Sequence, residues 1–206
     1  MTARPGGGPR IGVLGGTFDP VHVGHLVAAV NARHALDLDR VLLVVAGQPW
    51  QRAAGPLATP ADRLAVVAAA VADQDGLEAS DLEIARGGPS YTADTLETLG
   101  CSCPGAELFL IVGADVADQL DTWERVGACR ELATLVVVNR PGASVGRLSA
   151  KLEALGWRTM TVEIPALDIS STDLRARAAD GRPLDFLVPE AAIRHIRRVG
   201  LYADER

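Results

Sequence analysis

The chain has 206 residues, enough for one domain with a sizeable core. At 48% hydrophobic and 22% charged it is no disordered polypeptide, and with 4% aromatics its core must rest on Ala, Val, Leu and Ile. Lys plus Arg number 20 against 26 Asp plus Glu, a net charge of −6, which argues against a nucleic-acid partner and leaves only local basic sites for a small anion.

In chain order, residues 1–10 read as a flexible lead-in and 11–206 as a single domain. MTARPGGGPR lacks the apolar stretch of a secretory leader, and no apolar run approaches the roughly 20 residues of a membrane span, so a soluble, cytoplasmic protein is expected, with no membrane partner. IGVLG (11–15) is a short buried strand ending in glycine, and GHLVAAVNARHAL (24–36) has helical spacing. RVLLVVAG (40–47) is apolar on both faces, as parallel strands are. TPADRLAVVAAAVAD (59–73) opens with Thr-Pro, a helix start. LEASDLEIARGG (77–88) alternates and reads as a possible strand. SYTADTLETLG (90–100) is helical, ELFLIVGAD (107–115) a strand, and LATLVVVNRPG (132–142) another. SAKLEALG (149–156) is helical and RTMTVEIPAL (158–167) a strand. SSTDLRARAADG (170–181) and PEAAIRHIRRVGLY (189–202) are the last helices. Cys101, Cys103 and Cys129 are odd in number and irregular in spacing, so free thiols are expected rather than a disulfide framework or a zinc site.

Alternating strands and helices predict an α/β fold: a doubly wound, mostly parallel, Rossmann-like sheet with helices on both faces. Ligands in such sheets bind beyond the carboxyl ends of the strands. The polar clusters fall at those ends: Gly15-Gly16, Gln48-Pro49-Trp50, Gly113-Ala114-Asp115, Asn139-Arg140 and Ser170-Ser171-Thr172.

The first cluster belongs to GGTFDPVHVGH (15–25), which holds two of the four histidines. It is neither G-x-G-x-x-G nor a Walker A loop. Glycines after a strand let backbone approach a ligand, Asp19 and Pro20 shape a turn, and a helix starting near 21–24 aims free N–H groups at the same place. His22 and His25 share a helical face there, suited to phosphate oxygens that gain charge during reaction. Near the other end stands ISSTDLR (169–175). Ser170 and Asp173 fit a capping box, and Arg175 one turn in suits phosphate oxygens.

Together the two stretches resemble the G-x-F-D-x-x-H-x-G-H and I-S-S/T-x-x-R signatures of the nucleotidylyltransferase superfamily. Within it, Gly-Gly-Thr-Phe-Asp-Pro-Val-His, PSYTADTLETL (89–99), IVGADVADQLDTW (111–123) and VNRPG (138–142) are similar to segments of bacterial nicotinate-nucleotide adenylyltransferases. The resemblance spans about residues 11–202. It implies transfer of AMP from ATP to nicotinate mononucleotide, giving deamido-NAD and pyrophosphate. His22, His25 and Arg175 would be the catalytic residues. Gly15, Gly16, Thr17, Phe18, Gly113, Asp115, Ile169, Ser170, Ser171 and Thr172 would complete an ATP site, with Gly113 and Asp115 at the ribose. Tyr91, Thr92, Trp123, Arg52 and Arg140 would form the nicotinate nucleotide site, with Trp123 against the pyridine ring. Mg²⁺ would arrive with ATP, without a dedicated protein cage, and a homodimer is a possible assembly.

Where many members carry a Pro-Pro-His-Lys-like run, this chain has GQPWQRAAG, which leaves Arg52 as the basic residue of that loop. The alternatives are a sister adenylyltransferase acting on phosphopantetheine or nicotinamide mononucleotide, and a non-catalytic nucleotide sensor.

Overall fold

In the computed structural model, residues 7–50, 57–139 and 145–203 are described. Six strands form one sheet: β1 (Arg10–Gly16), β2 (Arg40–Val45), β3 (Leu77–Ser80), β4 (Glu107–Gly113), β5 (Ala133–Asn139) and β6 (Thr159–Glu163). Their order is β3-β2-β1-β4-β5-β6, and every pair is parallel. The helices are α1 (Val23–Ala35), α2 (Pro60–Val71), α3 (Leu82–Arg86), α4 (Thr92–Ser102), α5 (Ala114–Ala117), α6 (Val126–Leu132), α7 (Val145–Ala154), α8 (Ser171–Asp180) and α9 (Glu190–Val199).

The strands are apolar on both faces because both faces are covered. Val41, Leu43, Phe109, Ile111, Val136 and Val138 belong to one buried cluster, with residues of α1, α2 and α9. Their neighbours Leu42, Val44, Leu108, Leu110, Leu135 and Val137 belong to the other, with residues of α4, α6 and α7. The chain runs outward from β1 through β2 to β3, then returns to β4 on the other side of β1. That reversal between β1 and β4 opens a crevice at their carboxyl ends.

The sequence expectation of a doubly wound parallel sheet holds, with differences. The stretch 77–88 is strand only to Ser80; Asp81 then opens α3, and the alternating pattern ends where Glu83 turns inward. The strand expected over 107–115 stops at Gly113, and Ala114–Ala117 is one helical turn. Helix α6 has no counterpart in the sequence reading; it is too short to display a helical period. The strand expected over 158–167 ends at Glu163, although Ile164 still donates its N–H to Asn139. Arg10, placed in the lead-in, is the first residue of β1. The three cysteines are unbridged.

Candidate active site

Strand β1 delivers Gly15 and Gly16 to the crevice. A Cβ on Gly16 would stand 2.9 Å from the Phe18 ring, so only glycine fits, whereas one on Gly15 would meet nothing within 4 Å. Gly15 therefore offers bare backbone to open space. Phe18 takes a left-handed backbone conformation (φ 49°) that buries its ring under the loop. Its ring lies edge-on to His25, centroids 5.0 Å apart.

His22 caps α1, and its backbone N–H donates to Nδ1 of His25 at 3.2 Å. The imidazoles lie 3.8 Å apart at 30°. Burial pushes His22 down to about 4. Burial, then the neighbouring His22 charge, pushes His25 down to about 3. Both rings are thus neutral near pH 7. Because Nδ1 of His25 accepts a hydrogen bond, its proton sits on Nε2, making that atom a donor without a net charge.

The second signature folds onto the first. Ser170 caps α8 by accepting the Asp173 N–H at 3.2 Å. The return half of the expected capping box is not made, because the Asp173 carboxylate takes Arg177 Nε at 2.6 Å. Ser171 Oγ donates to the Pro20 carbonyl at 2.9 Å, and Arg175 Nη1 to the Asp19 carbonyl at 2.8 Å. Arg175 Nη2 reaches Thr172 Oγ1 at 3.3 Å.

Asp19, which the sequence marks only as a bend, is the hub of this end. It is 1% exposed, and its carboxylate accepts the N–H groups of Leu57 and Ala58 and the hydroxyl of Tyr202 at 2.8 Å. Arg175 Nη1 stands 3.8 Å from the same carboxylate. Burial and the bond to Asp19 push the Tyr202 phenol up, so it stays a donor. Fully buried Arg63 donates to the carbonyls of Thr17 (2.7 Å) and Ala58 (3.2 Å), bracing the loop from below. Arg63 left a signal that was missed: a cation on the stripe of α2 that also carries Val66, Val67 and Ala70. Tyr202 left none.

A cavity of about 460 Å³ opens at the switch point. Gly15, Gly16, Thr17 and His25 line one end; Trp50, Tyr91, Thr92, Gly113 and Trp123 line the rest. Tyr91 caps α4 and Thr92 is its first residue. The turn before them is anchored by Thr95, whose hydroxyl donates to buried Glu83 at 2.6 Å and accepts from Arg86 at 3.3 Å. Nε1 of Trp123 is buried without a hydrogen-bond partner.

The expected residues therefore separate into groups. Gly15, Gly16, Thr17, His25, Gly113, Tyr91, Thr92 and Trp123 share one cavity. Phe18 and His22 are buried behind it and shape it. Ile169, Ser170, Ser171, Thr172 and Arg175 do not line it; Ser171 and Arg175 are joined to the loop that does through the Pro20 and Asp19 carbonyls. Asp115 is exposed on α5, two residues beyond the cavity-lining Gly113. Arg52 and Arg140 lie outside the described residues. Among the described residues, no group of three or more His, Cys, Asp or Glu side chains could hold a metal ion, and no helix is long and apolar enough to cross a membrane.

Comparison with known proteins agrees with this fold. Residues 13–177 match the family described as cytidylyltransferase-like. A protein of Corynebacterium kroppenstedtii named "Probable nicotinate-nucleotide adenylyltransferase" is 44% identical over 194 residues, covering 94% of this chain and 91% of that one. One of the same name from a Roseiflexus species is 46% identical over 195 residues, covering 93% and 97%. Two structures of Plasmodium falciparum nicotinic acid mononucleotide adenylyltransferase, complexed with APC and with NaAD, superpose with TM-scores of 0.74 and 0.73. Each is 17% identical and covers 94% of this chain and 97% of its own, a likeness of fold.

Proposed function

Since the chain belongs to the cytidylyltransferase-like family, and within it to the nicotinate-nucleotide adenylyltransferases, we infer that it transfers AMP from ATP to nicotinate mononucleotide, giving deamido-NAD and pyrophosphate in NAD biosynthesis. The observation that carries this reading to particular atoms is the joining of Gly15–His25 to Ser171 and Arg175 through Pro20 and Asp19.

A phosphate oxygen of the mononucleotide attacks the α-phosphorus of ATP; the bond to the α,β-bridging oxygen breaks, and pyrophosphate leaves. No protein nucleophile is needed, so the work is positioning and charge stabilisation. Gly15 and Gly16 present backbone to the nucleotide. His25 donates from Nε2 to an α-phosphate oxygen as charge builds, and His22 fixes that tautomer through its backbone N–H. A neutral donor suits this site, because it need not shed a proton when pyrophosphate departs. Arg175, with Ser170, Ser171 and Thr172 at the start of α8, receives the β- and γ-phosphates. It is already oriented by the Asp19 carbonyl.

Gly113 and the nearby Asp115 hold ribose hydroxyls. Thr92 and the first N–H groups of α4 take the nicotinate carboxylate, and Trp123 stacks on the pyridine. An amide would place its own donors against donors there, which favours the acid. Arg52 and Arg140 complete the acceptor side of this reading. Mg²⁺ enters with ATP, held by phosphate oxygens and water, and supplies charge neutralisation. A cytoplasmic enzyme, assembled as a homodimer, completes the proposal; sedimentation of the purified chain tests the dimer.

The deciding assay incubates the chain with ATP, Mg²⁺ and a panel of acceptors while pyrophosphate is measured. Release with nicotinate mononucleotide, exceeding that with nicotinamide mononucleotide, is expected. Release with phosphopantetheine alone overturns the acceptor; release with none turns the reading towards a sensor.

A further inference from the structure

Trp123 sits in an irregular segment between α5 and α6, and that segment is tied down at both ends. At one end Lys151 Nζ on α7 donates to the Asp118 carbonyl (2.8 Å) and carboxylate (2.7 Å). At the other, Arg125 reaches across to α4: Nη1 lies 2.6 Å from Asp94 and 3.1 Å from Glu97, and Nη2 also binds Glu97. Asp94 and Glu97 stand three apart, so they share one helical face and can be spanned by one planar guanidinium. Arg125 makes this reach while in the left-handed region (φ 54°), a conformation costly for a residue with a Cβ. Strain at a non-glycine residue persists where surrounding contacts impose it, and the forked ion pair is such a contact.

Helix α4 also carries the opposite wall of the cavity, since Tyr91 and Thr92 form its start and Thr95 its second turn. Trp123 and Glu124, immediately before Arg125, line the facing wall. The Arg125–Asp94–Glu97 cluster therefore joins the two walls within one or two residues of groups that line the cavity.

We propose that Arg125 is a positioning residue that sets the distance between Trp123 and the start of α4, and thereby tunes affinity for the pyridine nucleotide without acting on the ATP phosphates. This rests on the function proposed above for the acceptor end of the cavity. Arg125 touches no reacting atom; it acts through Trp123. Its pairs are partly exposed, so the effect is graded and sensitive to salt.

The test is steady-state kinetics of the full chain with both substrates varied. In Arg125→Gln, KM for nicotinate mononucleotide should rise about three- to tenfold, the range of one or two partly exposed ion pairs, while kcat and the KM for ATP stay within about twofold. Arg125→Lys should recover part of the loss, since one ammonium cannot fork across two carboxylates. The charge swap Arg125→Glu with Glu97→Arg should recover more than either change alone. Added salt should raise this KM more steeply in the unmodified chain than in Arg125→Gln. Backbone hydrogen exchange over 119–124 should quicken in Arg125→Gln, with no change over the start of α1. An unchanged KM for nicotinate mononucleotide, or an equal rise for ATP, overturns the proposal. If the unmodified chain turns over another acceptor only, the proposed substrate fails instead. The exchange measurement then decides the role of Arg125, and unaltered exchange over 119–124 overturns it.

Discussion

The two ends of the cavity are built differently. At the Gly15–His25 end, the segment before α2, Arg175 of α8 and Tyr202 after α9 converge on the 1%-exposed Asp19, and fully buried Arg63 braces the same loop. At the Trp123 end, buried Glu83 and Thr95 anchor one wall, but the opposite wall is held by half-exposed ion pairs of Arg125 and Lys151. A buried network has few alternative arrangements because each broken bond leaves a polar group without water. Exposed pairs are exchangeable and weak. The loop that carries the first signature is thus held rigidly, and the wall that carries Trp123 is held by softer parts.

This contrast can be broken by experiment. The largest effect is expected from His25→Ala, which removes the Nε2 donor and should cost roughly 10²–10³ in kcat with a normal circular dichroism spectrum. His22→Ala keeps the backbone N–H that holds His25 and removes only the ring packed against it, so a smaller loss is expected, and near-normal turnover in both variants would remove them from the catalytic assignment. Asp19→Ala should act on folding instead. It leaves the Leu57 and Ala58 N–H groups unpaired and Arg175 without its neighbouring charge, a loss of about 3 kcal/mol by urea denaturation. A loss within experimental error would show that Asp19 is no hub. At the Trp123 end, Thr95→Val should destabilise by about 2 kcal/mol, since it strips the buried Glu83 carboxylate of its hydroxyl donor.

Acid sensitivity sharpens the contrast further. His22 and His25 are held below 6.5 by burial, so between pH 6.5 and about 4 for His22, or about 3 for His25, the unfolded chain binds more protons than the folded one. Their contribution to stability is complete above pH 6.5 and lost as pH falls through that window, at up to about 1.4 kcal/mol per pH unit for each group. Replacing both with Gln should flatten this part of the pH–stability profile. An unaltered slope would place the acid sensitivity elsewhere. The smallest change is expected from Tyr202→Phe, about 1 kcal/mol, since one hydrogen bond is lost and the ring still packs.

Much of this was legible in the sequence, for identifiable reasons. The strands could be read because burial on both faces leaves continuous apolar runs, as in Leu42–Val45 and Leu108–Val112. The signatures could be read because their residue types are constrained by chemistry: glycine where Phe18 crowds the backbone, and histidine where a ring nitrogen takes the backbone N–H at the start of α1. Helices α3, α5 and α6 escaped notice, since segments this short show no periodicity. Asp19 escaped as well, because a turn Asp before Pro looks the same whether it bends the chain or gathers donors from three distant segments.

The sequence by itself determined the α/β order, the parallel sheet and the two signature stretches, all of them local patterns of burial and residue type. Only the tertiary structure decided that Ser171 and Arg175 meet Pro20 and Asp19, that Arg63 and Tyr202 support them, and that Arg125 ties Trp123 to α4. Those contacts join residues far apart in the chain. No local pattern encodes them; they follow from where the β1–β4 reversal brings the strand ends together.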